Sequence, residues 1–377
     1  MKKLSAFIRV HLWAIFLFVS VSVSAQEFKI IRDGVEYAEM TRGTKEEPFR
    51  INLLKLDLTK VRLDVAHAMD AAIGLEKTSS IAARHDALAA INGGFFRLDR
   101  SIFAGDATGV LMINRTRISD TYANRIALFI ANNASRTDVF FEHFGLQDMI
   151  RIGKEEFYPS GINRERKENE IIEYTPEFHR TTLTDKNGVE IIVENNRIKA
   201  ISDGAGNNVI PQRGFIISAN GKKREALLKI ARIGRKVERF TTDISKETSK
   251  AFPLAEDIVG GVPQLIKNGK IEITWQQEKS SKAFVETRHP RTAVAKLKDG
   301  KFLMVAVDGR QAGYSVGMNL NELAAFLLEL GAQDAMNLDG GGSTTMFLDG
   351  KVVNKPSDKE GERSVSDAIL VFPRKRN

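Results

Sequence analysis

From residue 28 to residue 70 apolar and polar positions alternate with a period of two. Ile51 to Leu58 and Val61-Arg62-Leu63-Asp64-Val65 show it most clearly, and both predict half-buried strands. Thr78 or Ser79 is placed to cap a short helix running to about Asp86. Ala87 to Phe96 (ALAAINGGFF) then predicts a buried strand that ends in a glycine turn. More strand-like pieces follow between Asn114 and Phe141, among them Ile126 to Ile130 and Val139 to Phe141.

Residues 163–173, dense in charge of both signs (RERKENEIIE), predict a solvated loop. EIIVENNRIKAI (190–201) predicts a hairpin, with Asn195-Asn196 at a turn that favours positive φ. SDGAGNN (202–208) lacks the strand-to-helix setting of a dinucleotide loop and reads as a plain turn. In 221–240, with eight basic and two acidic residues, Ala226, Leu227, Ile230 and Ala231 share a helical face that Gly234 is placed to end. A core-packed helix with a wet basic side is favoured there over a polyanion-binding face. From Ile258 short strands alternate with Gly turns at Asn268-Gly269 and Asp299-Gly300. One amphipathic helix interrupts them at 319–331, capped by Asn319 or Asn321 and ended by Gly331. No fixed-period repeat and no Pro/Ser-rich linker divides the chain. The prediction is one compact α+β domain of β-rich mixed sheets with few helices.

Composition narrows the chemistry. The 377 residues are 42% hydrophobic and 28% charged and include no cysteine. Disorder is excluded, as are disulfides, zinc–thiolate sites, iron–sulfur clusters and a cysteine nucleophile. The net charge of +8 invites a nucleic-acid reading. However, residues 1–25 have a basic start (Lys2, Lys3, Arg9), an apolar run from Val10 to Val19 and the small residues Val23-Ser24-Ala25. That is the pattern of a cleavable signal peptide, which leaves a domain at 26–377. Its removal lowers the net charge to +5. The expected product is an exported protein, periplasmic or extracellular, with no stable membrane span and no need of a nucleic-acid partner.

Four stations place polar groups beside glycines or arginines. FLMVAV leads into Asp308-Gly309-Arg310, and AMNL leads into Asp339-Gly340-Gly341-Gly342-Ser343-Thr344-Thr345. Asn92-Gly93-Gly94 ends the buried strand, and Arg288-His289-Pro290-Arg291-Thr292 supplies guanidinium groups suited to phosphate or carboxylate. Glycines permit close approach of a ligand, and amide N–H groups can face anionic oxygens. Together the stations predict a polar surface cavity. Cleavage of a sugar–oxygen bond next to phosphate suits them, because arginines can stabilise the departing oxyanion. No HExxH helix, Gly-x-Ser-x-Gly elbow or Walker loop is present.

INGGFF (91–96), HPRTAVA (289–295), VDGR (307–310), LGAQDAMNLDGGGSTTM (330–346) and VVNKPSDKEGERSVSDAILVF (352–372) resemble the phosphodiester glycosidase family. The likeness reaches roughly residues 50–373. It implies a β-rich α+β domain with a motif-lined surface cavity, and hydrolysis of a sugar 1-phosphodiester to free sugar and a phosphomonoester. The mechanism expected on these residues has Asp339 as nucleophile or base for water, and Asp308 as orienting the sugar or sharing acid–base work. Arg291 and Arg310, with amides of Gly340–Ser343, would hold the phosphate. Asn92, Gly93, Gly340, Gly341, Ser343, Thr344, Asn354 and Arg363 would complete the substrate-binding set. Mammalian members contain cysteines and this chain does not; the signal-peptide pattern before the domain makes an exported or cell-envelope glycan phosphodiester the expected substrate. The sequence requires no cofactor and leaves the metal open. A P–O-cleaving phosphodiesterase with Ca²⁺ or Mg²⁺ on Asp308, Asp339 and Asn92 is one alternative; a non-catalytic glycan- or polyanion-binding module is another.

Overall fold

The computed structural model describes residues 27–121, 124–246 and 248–374. The leader read at residues 1–25 lies outside them. The apolar runs of the C-terminal half form the centre of an eight-stranded antiparallel sheet. Its order is Lys29–Arg32, Val35–Gly43, Pro48–Leu56, Phe302–Val307, Arg291–Leu297, Ala332–Asn337, Gln264–Lys267 and Lys270–Ile271. The strand Phe302–Val307 has no polar alternation because both its faces are covered. Met304 and Ala306 join Leu54, Leu56, Val294 and Met336 in one core. Leu303, Val305 and Val307 join Ile51 and Leu53 in another, closed by Leu320, Leu323, Ala324 and Leu327.

Those last four residues belong to a helix, Leu320–Glu329, that starts on a capping box. Asn319 Oδ1 accepts the Glu322 amide at 2.9 Å, and the Glu322 carboxylate accepts the Asn319 amide at 2.9 Å. Asn319 rather than Asn321 is therefore the cap, and Gly331 follows the helix at φ +85°.

A second sheet, ordered Lys351–Val352, Met346–Leu348, Ala89–Asn92, Asp367–Pro373 and Val61–His67, packs on the inner face of the first. Leu63, Val65, Ile91, Ile369 and Val371 fill the interface. A third sheet, containing Arg125–Asn132 and Thr137–Phe144, closes the same core with Ile126, Leu128 and Ile130. Between residues 146 and 243 the chain builds two smaller sheets. Their core holds Ile150, Ile171, Ile191, Phe215, Ile217 and Leu227. The molecule is strand-rich with few helices, as the alternation predicts. Among the described residues no helix is long and apolar enough to cross a bilayer.

Three segments depart from the pattern. The helix Thr78–Arg84 has Lys77 at its cap position and no side-chain cap bond, so neither Thr78 nor Ser79 caps it. Ser79 instead gives its amide and hydroxyl to the Glu362 carboxylate. Residues 163–173 are a solvated loop only in part: Lys167, Glu168 and Asn169 are exposed, but both ends are held against the protein. Asn163 is buried and donates to Ile118 O (3.1 Å), Arg164 pairs with Glu170 (2.8 Å), and Ile171–Tyr174 is a buried strand. Ion pairing lets a charge-rich segment lie against a core that local patterning cannot show. Finally, the basic helix ends at Ile230 (Gly221–Ile230). Gly234 lies in the turn beyond it, and Val237–Asp243 is a strand.

The capping box gives a direct test of how the helix Leu320–Glu329 starts. Asn319→Ala removes one half of it and should cost about 1 kcal/mol of stability. Urea unfolding should show this as a lower midpoint with an unchanged slope; no change in midpoint would count against the capping role.

Candidate active site

Antiparallel register gathers the motifs. Arg291 pairs with Val307, and Ala293 pairs with Asn337. The start of one strand and the ends of its two neighbours therefore lie at one end of the large sheet. This places Arg291, Asp308 and Asp339 together. In the second sheet Asn92 pairs with Ala368, and Ile91 with Met346, so Asn92, Asp367 and the Thr344-Thr345 segment meet at its corresponding end.

Asn92 joins the two ends. It is 1% exposed, its Nδ2 donates to Asp339 O at 2.7 Å, and its Oδ1 accepts Thr292 Oγ1 (2.8 Å) and the Thr345 amide (3.1 Å). The Asp339 amide in turn donates to Gly93 O at 3.2 Å. Thr292 Oγ1 also reaches Thr344 Oγ1 at 3.3 Å. Asn92 thus holds the backbone on which Asp339 stands. A Cβ on Gly93 would overlap Asp367 Oδ1, so glycine is required there by the close approach of that carboxylate.

Burial pushes the Asp339 carboxyl up to about 6, and the Asp367 charge adds to this. The Ser343 hydroxyl, the Gly340 amide and the Arg363 charge pull the other way. Ser343 Oγ is buried and forms no hydrogen bond of ordinary geometry, so it acts on Asp339 as a nearby dipole. Beyond Asp339 the chain turns through Gly341–Ser343, and two guanidinium groups lie on this turn. A Cβ on Gly341 would stand 3.1 Å from Arg310 Nη1 and Nη2. One on Gly342 would overlap Arg363 Nη2 and its partner Asp358. Arg363 is bidentate to Asp358 at 2.7 and 3.0 Å.

The other two arginines have no carboxylate partner among the described residues. Arg310 donates to His289 Nδ1 at 3.2 Å, and burial with two neighbouring arginine charges keeps His289 below its usual pKa and neutral. Arg291 is 1% exposed, with Nε on Met318 O (2.9 Å) and Nη2 on Phe284 O and Thr287 O (both 2.8 Å). Burial, reinforced by Arg310, lowers it to about 10. A buried cation facing a second cation, with no anion between them, is an arrangement that an anionic ligand stabilises.

Several expected ligand groups are occupied by the protein. Asp308 is buried, and its Oδ1 accepts Asn354 Nδ2 (2.9 Å) and the Lys355 amide (3.0 Å). Its Oδ2 accepts the Tyr314 hydroxyl at 3.3 Å. Burial still raises its pKa. Asn354 accepts the Met346 amide (2.7 Å) and donates to Thr344 O (3.0 Å), which ties Asp308 to the second sheet. The Gly341 and Ser343 amides, expected to face phosphate, go to Pro290 O (2.9 Å) and Gly340 O (3.1 Å). The oxygens of Asp308 and Asn92 are likewise filled by protein donors, so the trio Asp308, Asp339 and Asn92 does not fit a divalent cation.

Residues 187–372 match the sequence profile of the phosphodiester glycosidase family. This part of the chain resembles members of that family. Over 176 residues the chain is 30% identical to N-acetylglucosamine-1-phosphodiester alpha-N-acetylglucosaminidase of Mus musculus, covering 44% of this chain and 33% of that protein. It spans about a third or less of the length of the first such relatives it matches. A Synechocystis protein of hypothetical description superposes with a TM-score of 0.77 at 25% identity, covering 93% of this chain and 64% of that one. A Burkholderia pseudomallei protein described as exported shares the fold, with a TM-score of 0.75 at 24% identity and coverage of 86% and 74%.

Within the matched segment, the sequence pattern singles out neither Asp367 nor a role for His289. Asp308 and Asp339 stand at the C-terminal ends of apolar runs. Asp367 stands at the N-terminal end of one, AILVF, and the antiparallel pairing brings that end to the same place. Its Oδ1 accepts the Gly94 amide at 2.8 Å, and its Oδ2 takes the Ser366 hydroxyl.

Because Asp367 raises the Asp339 pKa, Asp367→Asn should move Asp339 down from about 6 toward the ordinary carboxylate range. A carboxyl ¹³C titration reads this, and an unmoved midpoint would refute the coupling. Asp339 also binds its proton more tightly folded than unfolded. Its ionisation therefore costs stability as pH rises from the unfolded value to about 6, and the loss persists above that. Asp339→Asn should raise the melting temperature at pH 8 and leave it unchanged below pH 4, as read by scanning calorimetry.

Proposed function

We propose that this chain hydrolyses the glycosidic C–O bond of a sugar 1-phosphodiester, releasing the free sugar and a phosphomonoester. The observation that carries the reading is the pair Arg291 and Arg310, two guanidinium groups without a carboxylate partner, next to a carboxyl whose pKa stands at about 6. The arginines supply the positive field for a phosphate, and Asp339 supplies a base that is ionised above about pH 6. The match of residues 187–372 to the family profile supports the same chemistry.

In this mechanism the phosphodiester lies against Arg310 and the unshared Nη1 of Arg291. The bond from the anomeric carbon to the phosphate oxygen breaks, and its electron pair leaves on the phosphate. Water supplies the hydroxyl to that carbon and passes its proton to Asp339. A phosphate leaving group has low basicity, and the guanidinium charge stabilises it further, so it departs without a protonating acid. Asp308 takes a positioning part: with Asn354 and the Lys355 amide it fixes the strand end that carries Arg310. His289 orients Arg310 as a neutral acceptor. Gly93, Gly340, Gly341, Ser343 and Thr344 shape the approach to Asp339, and Arg363 with Asp358 braces the turn. The leader read at residues 1–25 directs the protein out of the cytoplasm, toward glycan phosphodiesters of the cell envelope or its surroundings.

Purified protein incubated in ¹⁸O-water with a panel of sugar 1-phosphodiesters tests the reading. Label should enter the sugar hydroxyl; label in the phosphate would mean P–O cleavage and overturn it. Turnover should rise as pH passes upward through about 6, where Asp339 ionises. Asp339→Asn should lower kcat about 10²–10⁴-fold, and undiminished turnover in a folded variant would remove Asp339 from the mechanism.

A further inference from the structure

Two strands of the second sheet, Val61–His67 and Ala89–Asn92, end on either side of the strand Asp367–Pro373. His67 pairs with Asp367, and Asn92 pairs with Ala368. The loops that follow them, 68–75 and 94–109, therefore leave the sheet at the end that holds Asn92 and, through it, Asp339. The two loops touch. The Gly74 amide donates to Ala104 O at 3.0 Å, and a Cβ on Gly105 would overlap Gly74 O. His67 Nε2 lies 3.2 Å from Gly105 O.

Three large aliphatic side chains project from this pair of loops into solvent. Met69 is 68% exposed, Leu98 55% and Ile102 63%. A single exposed apolar side chain is ordinary, but three on touching loops beside a candidate site mark a contact surface. A Cβ on Gly74 would stand 3.6 Å from Met69 Sδ, so Met69 leans toward the place where the loops meet.

Both loops are fastened in this shape. Met69 and Asp70 take φ +56° and +52°, a left-handed conformation that residues with a side chain rarely adopt. The Met69 amide donates to Glu76 Oε2 at 2.9 Å, and Arg84 binds both Glu76 (2.9 Å) and Asp70. In the other loop the Arg97 amide donates to Asp106 O (2.8 Å), and Arg97 O accepts the Gly105 amide (2.9 Å). Phe103 turns inward against Phe178, with ring centroids 6.3 Å apart. Strained backbone persists where its surroundings over-determine it, and the result here is a fixed aliphatic rim.

The make-up of the rim selects its occupant. Flat sugar faces pack best on exposed aromatic rings, whereas Phe95, Phe96 and Phe103 are half-buried or buried. A polyanion needs a row of free cations, whereas Arg84 and Arg97 are paired with carboxylates and Arg100 alone projects between Leu98 and Ile102. Flexible aliphatic side chains match a hydrocarbon chain. Rim and site share one sheet end, so a molecule held by its phosphate at the site lays its own chain on the rim. We propose that the alcohol esterified to the substrate phosphate is a long-chain lipid alcohol, and that Met69, Leu98 and Ile102 receive its hydrocarbon. The proposal rests on the hydrolytic reading above and names the substrate class for it.

A panel of sugar 1-phosphates, each prepared as its methyl and its decyl ester, tests it, with the decyl esters kept below their critical micelle concentrations. Burying one methylene is worth roughly fourfold in affinity, so kcat/KM for the decyl ester should exceed that for the methyl ester at least tenfold. Leu98→Ser combined with Ile102→Ser should abolish this advantage and leave turnover of the methyl ester unchanged. Circular dichroism checks the fold, and Ile102→Ser alone decides if the double variant does not fold. Equal kcat/KM for the two esters, as expected if the rim serves a protein partner, would overturn the proposal and leave the hydrolytic reading standing. So would an undiminished decyl advantage in the folded variant. If no ester is hydrolysed, the hydrolytic reading falls, and isothermal titration calorimetry decides the rim. Decyl esters bound at least tenfold more tightly than methyl esters, with the difference lost in the variant, would uphold lipid binding there; no such difference would overturn it.

Discussion

The candidate site depends on one side-chain amide. Asn92 belongs to the smaller sheet, yet its Nδ2 holds the backbone carbonyl of Asp339 from the larger one. Its Oδ1 gathers Thr292 from the larger sheet and the Thr345 amide from the smaller. Each bond of this kind contributes about 1 kcal/mol net, but a buried group left without its partner costs more. Two of the three are buried, and removing Asn92 would take a partner from all three groups at once. That makes the clasp a register constraint on where Asp339 stands as much as a source of stability.

Around that clasp the protein maintains charges it does not neutralise. Several arginines elsewhere are paired with carboxylates: Arg288 with Glu322 and Glu47, Arg164 with Glu170, Arg239 with Glu173. Arg291 and Arg310 are the contrast, and Asp339 is held partly protonated by burial beside Asp367. A site with two uncompensated cations and a carboxyl poised near neutrality is costly to fold and well prepared for an anionic substrate. The surrounding bonds carry that cost. Three backbone carbonyls hold or neighbour the Arg291 guanidinium, and Asp308 is fastened by Asn354, Lys355 and Tyr314.

The sequence reading was accurate where local rules act alone. The Asn195-Asn196 turn takes positive φ at both residues, Asn319 caps its helix, and Asp308 and Asp339 stand just past apolar strands. It was inaccurate where a distant segment decides. The two ends of residues 163–173, Asn163 and Ile171–Glu173, are buried against segments that lie far away in sequence. Thr78 yields the cap position to Lys77, and Ser79 turns instead to Glu362, 283 residues away. Asp367 escaped notice because a carboxylate at the start of a strand looks ordinary until antiparallel pairing carries it to the site.

The sequence by itself determined the class of fold and the cast of polar residues. Both follow from short-range regularities: a period of two, glycine turns, and motifs whose composition carries a family likeness. Tertiary structure alone decided what each of those residues does. Arg291, Asp308 and Asn92 all belong to the motifs, yet their donors and acceptors are largely spent on the protein, while Asp339 and Arg310 stay available. A hydrogen-bonding group can serve a ligand only with the capacity its neighbours leave over. Those neighbours come from other strands of two sheets, so no local pattern reveals them.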